Sequence, residues 1–283
     1  MWHPARVPPA LIQVTPPSAI EVGPLSVGLY GIGYVVGIAV MILVSQAEAR
    51  RRGYDPGLVT GAILPVAICA LVGARLYHVI DMWAYYRDHL DQIVLPPYSG
   101  LGLYGGIAGA VIGIAIHCRR NRIPLLTALD VVVPGTLFAQ AIARWGNFFN
   151  QELYGPPTDL PWGITIDCTH RIEPYPCGDT WPEATTGVHP LFLYESIWNA
   201  IGGAIALWLS HRRASALRPG DLASFWMIWY GGGRLVLETF RAGCDWTVAG
   251  VPTAMLIGAV LVTVGIASVL VRHRRAISAD TSR

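Results

Sequence analysis

The chain has 283 residues, of which 53% are hydrophobic and 13% charged, with a formal net charge of +2. A soluble domain uses roughly 25% charged residues to cover its surface, so the composition excludes an ordinary soluble enzyme. The ample apolar content excludes a disordered chain, and the near-neutral charge offers nothing to bind nucleic acid.

Residues 1–24 are rich in proline and lack an apolar run, so they do not read as a cleavable signal peptide. About 20 mostly apolar residues cross a bilayer. Seven segments meet that need, at about 25–45, 57–80, 101–117, 125–143, 190–210, 222–240 and 251–271. Pro56, Pro124, Pro190 and Pro252 stand near span starts, where a missing N–H costs little. The expected fold is therefore an all-α integral membrane protein, one membrane domain over 1–283 with seven transmembrane helices. Between the spans, residues 81–100 carry Trp83, Tyr85, Tyr86 and Tyr98 and fit a segment lying along the interface. Residues 144–189, rich in proline and polar groups, form a small extracytoplasmic cap. Within it Cys168 and Cys177 are suited to a disulfide, which leaves Cys244 over.

Every basic side chain is arginine. Arginine clusters at 50–52, at Arg119, Arg120 and Arg122, at Arg212, Arg213 and Arg218, and at Arg272, Arg274, Arg275 and Arg283. The alternate connections hold only Arg6, Arg87, Arg171 and Arg241. Positive residues stay in the cytoplasm, so the N-terminus is predicted outside and the C-terminus inside.

Ionisable groups at membrane depth are costly and mark function, unless they snorkel from a helix end. In the sixth span Tyr230, Arg234, Glu238 and Arg241 recur at helical spacing on one face, and Arg234 can pair with Glu238. Gly231, Gly232 and Gly233 leave room for something to approach that helix. The fourth span ends in Arg144-Trp-Gly-Asn147-Phe-Phe-Asn150-Gln-Glu152-Leu-Tyr-Gly155. The fifth opens with His189-Pro190 and continues to Tyr194-Glu195. Tyr30 and Tyr34 in the first span, Arg75, Tyr77 and His78 in the second, and Tyr104 in the third fall in the same outer half. Planar guanidinium forks suit phosphate, and a phosphate within a bilayer belongs to a lipid headgroup. The residues alone thus point to an enzyme or a carrier for an anionic phospholipid. No carboxylate–histidine cluster has metal-ligand spacing, and no cofactor is expected.

The run from Arg144 to Gly155 resembles the signature of bacterial prolipoprotein diacylglyceryl transferases. So do His189-Pro190 through Tyr194-Glu195, Tyr230 to Arg241, Tyr30-Gly31 with Tyr34 and Gly37, and Gly73-Ala-Arg75 with Tyr77. The resemblance implies transfer of the diacylglyceryl group of phosphatidylglycerol to the lipobox cysteine of a prolipoprotein signal peptide. A thioether forms and glycerol phosphate leaves. It implies a multi-pass protein of the bacterial cytoplasmic (inner) membrane, surrounded by membrane lipids. Arg144 and Arg234 are then expected to bind the phosphate, with Glu238 orienting Arg234. Tyr30, Asn147, Glu152, Gly155, His189, Tyr194, Tyr230 and Arg241 are expected to shape the site or touch substrate. Tyr104 departs from the family pattern, where many members carry a histidine proposed as the base. Three readings stay open: Tyr104 only hydrogen-bonds the substrate, His189 or Glu238 takes the thiol proton, or the lipid phosphate accepts it. A lipid carrier without covalent product, or a scaffold binding prolipoproteins, is the competing class of function.

Overall fold

A computed structural model describes residues 12, 13, 16–94, 100, 102–243 and 247–281, leaving out the side chains of 22, 103, 104 and 275–281. The expectations for Arg6, Tyr98, Cys244, Arg275 and Arg283, and for the Tyr104 side chain, lie outside the described residues.

A short hairpin, β1 (Ala19–Val22) and β2 (Leu25–Gly28), precedes α1 (Leu29–Arg51) and α2 (Gly57–Asp81). A single turn, α3 (Trp83–Tyr86), lies in the next connection. There follow α4 (Leu103–Asn121), α5 (Leu125–Phe149), α6 (Leu191–Arg212) and α7 (Asp221–Leu237). A second hairpin, β3 (Thr247–Val248) and β4 (Val251–Pro252), leads into α8 (Thr253–Thr281). Each predicted span thus has a helical counterpart. Four of them, α1, α2, α5 and Thr253–Arg274 of α8, are long and apolar enough to cross a membrane.

Three expectations need correction. The chain is not purely helical, since one antiparallel hairpin precedes α1 and another lies between α7 and α8. The first helix begins at Leu29 rather than 25, because residues 25–28 pair with 19–22 across a turn in which Gly23 takes φ +60°. The fourth helix runs on to Phe149. Polar side chains at Arg144 and Asn147 end the apolar stretch but not the helix. It stops only where Gln151 and Leu153 adopt left-handed backbone, φ 50° and 59°.

The chain forms two compact units, one of residues 42–132 and one joining 1–41 to 133–283. In the first, α2 and α4 pack backbone to backbone. Gly105, Gly109 and Gly113 recur every four residues along α4, and a Cβ at each would collide with α2 at Gly73, Cys69 and Val66. Lipid tails give no hydrophobic drive between helices, so close van der Waals approach must hold such a pair. The glycine richness of this span is thus a packing feature. Arg75 secures the following connection, donating to the carbonyls of Gln92, Ile93 (3.1 Å) and Gly100 (3.2 Å). Its guanidinium also lies over the Tyr86 ring at 5.2 Å. Leu64, Leu71 and Val72 of α2 form an exposed apolar surface.

In the second unit Gly231 lets α7 meet Gly258 of α8, and Leu137, Ala206 and Leu222 are completely buried between helices. Helices α6 and α7 are joined by a reciprocal clasp. Trp198 donates to the Trp229 carbonyl and Trp229 donates to the Trp198 carbonyl, both at 3.1 Å. The rings stack at 4.3 Å, and each indole lies against a glycine of the other helix, Gly233 and Gly202. The segment after α5 has its own small core of Tyr154, Ile164, Ile166, Val188 and Phe192. Cys168 and Cys177, which the sequence left suited to a disulfide, are bonded there. Buried Arg171 donates to the carbonyls of Ile166, Trp181 and Thr186. The Tyr154 hydroxyl accepts from the Ile172 N–H at 2.7 Å, and burial pushes its phenol above the ordinary value.

Candidate active site

The C-terminal part of α5, the start of α6 and the end of α7 bring charged side chains into one chain of contacts. Arg144, on α5, places Nε 2.5 Å from Oε2 of Glu195, on α6. The other Glu195 oxygen, Oε1, accepts from Nη1 of Arg234, on α7, at 3.0 Å. Arg234 Nη2 lies 3.0 Å from Glu238 Oε2, and Arg241 Nη1 lies 3.3 Å from Glu238 Oε1. On the other side Arg144 Nη1 reaches Asn147 Oδ1 at 3.5 Å, and Asn147 Nδ2 donates to Glu152 Oε1 at 2.7 Å. Glu195 and Glu238 are 5% exposed, so their charges depend on these arginines rather than on water.

The local sequence explains the placement. Arg144 and Asn147 are one turn apart on α5, and the turn after that helix folds Glu152 N–H back onto the Asn147 carbonyl at 2.9 Å. Glu195 stands one turn before Trp198, and Arg234 follows Gly233, on which Trp198 rests. The clasp therefore fixes the α6–α7 spacing next to the ion pair. Helix α7 does not carry Arg241 on a continuous face. It ends at Leu237, tightens into a 3-10 turn over Glu238–Phe240, and leaves Arg241 in extended backbone. Arg241 still reaches Glu238, because the tightened turn keeps residues three apart on one side.

The remaining predicted residues divide. Tyr30 lies flat on Gly146, where a Cβ would come within 2.9 Å of its ring, and bonds the Tyr34 hydroxyl at 3.2 Å. Gly155 ties three segments together: its N–H donates to the His189 carbonyl at 2.9 Å, and a Cβ would press on the Phe240 carbonyl at 2.9 Å. His189 Nδ1 and the Trp162 indole N–H both meet the Tyr194 hydroxyl, at 3.0 and 2.8 Å. Tyr230 stacks on Trp226 at 5.2 Å, and Trp226 donates to Gln140. Among the described contacts these last groups form sets of their own beside the charged chain. Of the three glycines before Arg234, Gly231 and Gly233 serve helix packing, and only Gly232 faces open space. A small cavity adjoins the site, lined by Asn147, Gln151, Glu152, Thr165, Phe192 and Pro16.

Sequence reasoning missed Glu195 as a site residue. It stood in view within the His189–Glu195 motif, but nothing in its spacing to Arg144 or Arg234 reveals that both arginines converge on it. The contacts come from three helices far apart in sequence.

The model of the prolipoprotein diacylglyceryl transferase family matches residues 17–271. The chain belongs to this family. It is similar to the phosphatidylglycerol–prolipoprotein diacylglyceryl transferase of Chloroflexus aggregans, at 37% identity over 89% of this chain and 87% of that one. The enzyme of the same name from Bifidobacterium longum subsp. infantis is 35% identical over 88% of this chain and 81% of its own. That of Streptococcus equi subsp. zooepidemicus is 33% identical, covering 92% and 96%.

Proposed function

We propose that the protein joins the diacylglyceryl group of phosphatidylglycerol to the cysteine thiol of a prolipoprotein, forming a thioether and releasing glycerol phosphate. The observation that carries the chemistry is the pair Arg144 and Arg234, brought from two helices onto a single buried carboxylate. Two guanidinium forks that converge on one anion are suited to hold a phosphate and the charge that grows on it as it leaves. Glu238 orients Arg234 and Arg241. Asn147 links Arg144 to Glu152 beside the cavity. Tyr30, on Gly146, and Gly155, between His189 and Phe240, shape the surroundings. His189 and Tyr194 brace the start of α6, and Tyr230 packs along α7.

The chain crosses the bacterial inner membrane seven times, with the N-terminus outside, and receives the prolipoprotein through its signal peptide at the outer side. Seven long helices at the seven apolar segments and the alternation of arginine clusters support this reading. Residues 144–189 form the extracytoplasmic cap, which its disulfide suits.

The test is a reconstituted reaction of purified protein, phosphatidylglycerol and a lipobox peptide, followed by peptide mass. A gain of one diacylglyceryl group with release of glycerol phosphate is the expected result. Bound lipid with no mass gain sinks the transferase and favours a carrier.

A further inference from the structure

Glu195 holds the two arginines that the phosphate needs. Its two oxygens meet Arg144 of α5 and Arg234 of α7, and its side chain is buried. We propose that Glu195 is the proton acceptor for the thiol, released for that task when the lipid phosphate takes over Arg144 and Arg234. The proposal rests on the transferase reading above.

The argument begins with charge. A carboxylate and a phosphodiester each carry one negative charge and each present two oxygens to guanidinium forks. The groups facing Glu195 are Arg144 from α5 and Arg234 from α7, with Glu238 and Arg241 one contact further out. On its own helix Asn199 bonds only its backbone carbonyl, at 2.8 Å. A phosphate on Arg144 and Arg234 therefore competes with Glu195 for both guanidiniums and with Glu238 for Arg234 only. Glu238 keeps Arg241, which is not one of the phosphate pair. His189 has its Nδ1 on the Tyr194 hydroxyl. A carboxylate in a water-poor site is a ready proton acceptor once its cations turn to another anion.

The step balances. The thiol proton passes to a Glu195 oxygen. The thiolate pair forms the S–C bond to the glyceryl carbon, and the C–O bond to phosphate breaks with its electrons on oxygen. The product glycerol phosphate is then a dianion on Arg144 and Arg234. It takes the proton from Glu195 and leaves as the monoanion, and the carboxylate returns to its arginines. Three guanidiniums, Glu238, Glu195 and the lipid phosphate sum to zero before the transfer and after it, so no net charge is created around the two buried carboxylates.

The experiment compares the full chain with Glu195→Gln in the reconstituted reaction, measuring kcat and the lipid KM from pH 6.5 to 9.5. At neutral pH a free thiol is only a few per cent ionised. Glu195→Gln is expected to lower kcat about 100-fold or more at pH 7, with a lipid KM equal to or below that of the parent. The loss shrinks as the pH passes the thiol value near 8.5. A peptide carrying selenocysteine, whose selenol ionises below neutral pH, restores most of the rate at pH 7. Glu195→Asp keeps the carboxylate and the parent's pH profile at reduced rate, which covers the case that the glutamine variant folds poorly. A loss in Glu195→Gln that neither alkaline pH nor the selenol relieves, or a lipid KM that rises in step with the lost rate, overturns the proposal and makes Glu195 a brace. Parental activity overturns it as well. If the unaltered chain makes no thioether at all, it is the transferase reading that fails.

Discussion

Arg75 in the unit of residues 42–132 and Arg234 in the unit containing 133–283 begin alike: each is an arginine near the end of an apolar helix. Their partners differ. Arg75 meets backbone carbonyls of the connection after α2, which belong to the fold itself. Arg234 meets two carboxylates, one of them shared with Arg144. Carbonyls make an arginine a scaffold. A shared carboxylate makes it an anion site, because another anion of like charge can exchange with it. The helix contacts follow the same division. The α2–α4 pair is joined by glycines and backbone, whereas α6 and α7 are joined by an indole clasp that leaves charged groups room to meet.

The largest effect expected from this contrast is at the anion site. Arg144→Ala or Arg234→Ala is expected to lower the transfer rate about 1,000-fold in the reconstituted assay. Arg144→Lys keeps the charge and loses the fork, and is expected to fall nearly as far. Activity within threefold of the parent in the lysine variant would show that charge alone suffices.

Next comes Gly109→Leu, which drives a side chain into the Cys69 carbonyl of α2. It is expected to destabilise that unit by about 3 kcal/mol, read as a lower thermal midpoint in detergent. Arg75→Ala is expected to cost about 2 kcal/mol, since three carbonyls lose their donor together, while folded protein keeps its rate within about threefold. A collapse of rate at unchanged midpoint would break the comparison by making Arg75 a site residue. The smallest effect belongs to the clasp. Trp198→Phe and Trp229→Phe each remove one indole N–H and are expected to cost about 1 kcal/mol. The double variant should cost less than the sum, because the two bonds share one stacked pair.

Much of this was legible in the sequence. Among the described residues a helix lies at each of the seven apolar segments, and four of these helices are long and apolar enough to cross a membrane. The Arg234–Glu238 pair followed from one helical turn, whereas spacing made Cys168 and Cys177 no more than suited to the disulfide they form. The end of α5 was misplaced because hydropathy stops at the first charge while hydrogen bonding continues to Phe149. Glu195 stayed hidden because its role is set by contacts with Arg144 and Arg234, 51 and 39 residues away. The glycines before Arg234 pointed to an approach from outside the helix, yet two of the three receive neighbouring helices instead. Arg75 looked like a member of the polar set, and nothing in its neighbours announced that carbonyls near residue 93 would claim it.

The reciprocal bonds of Trp198 and Trp229 also restrict how α6 and α7 can move. Each indole is anchored to its own backbone and tethered to the other's, so the two helices are meshed like a pair of gears. One cannot roll about its axis without breaking a bond or turning the other. Glu195 and Arg234 sit beside the mesh, so their separation is insulated from helix rolling. What remains free is the torsion of the two side chains, and opening that contact is a matter of rotamers rather than of helices.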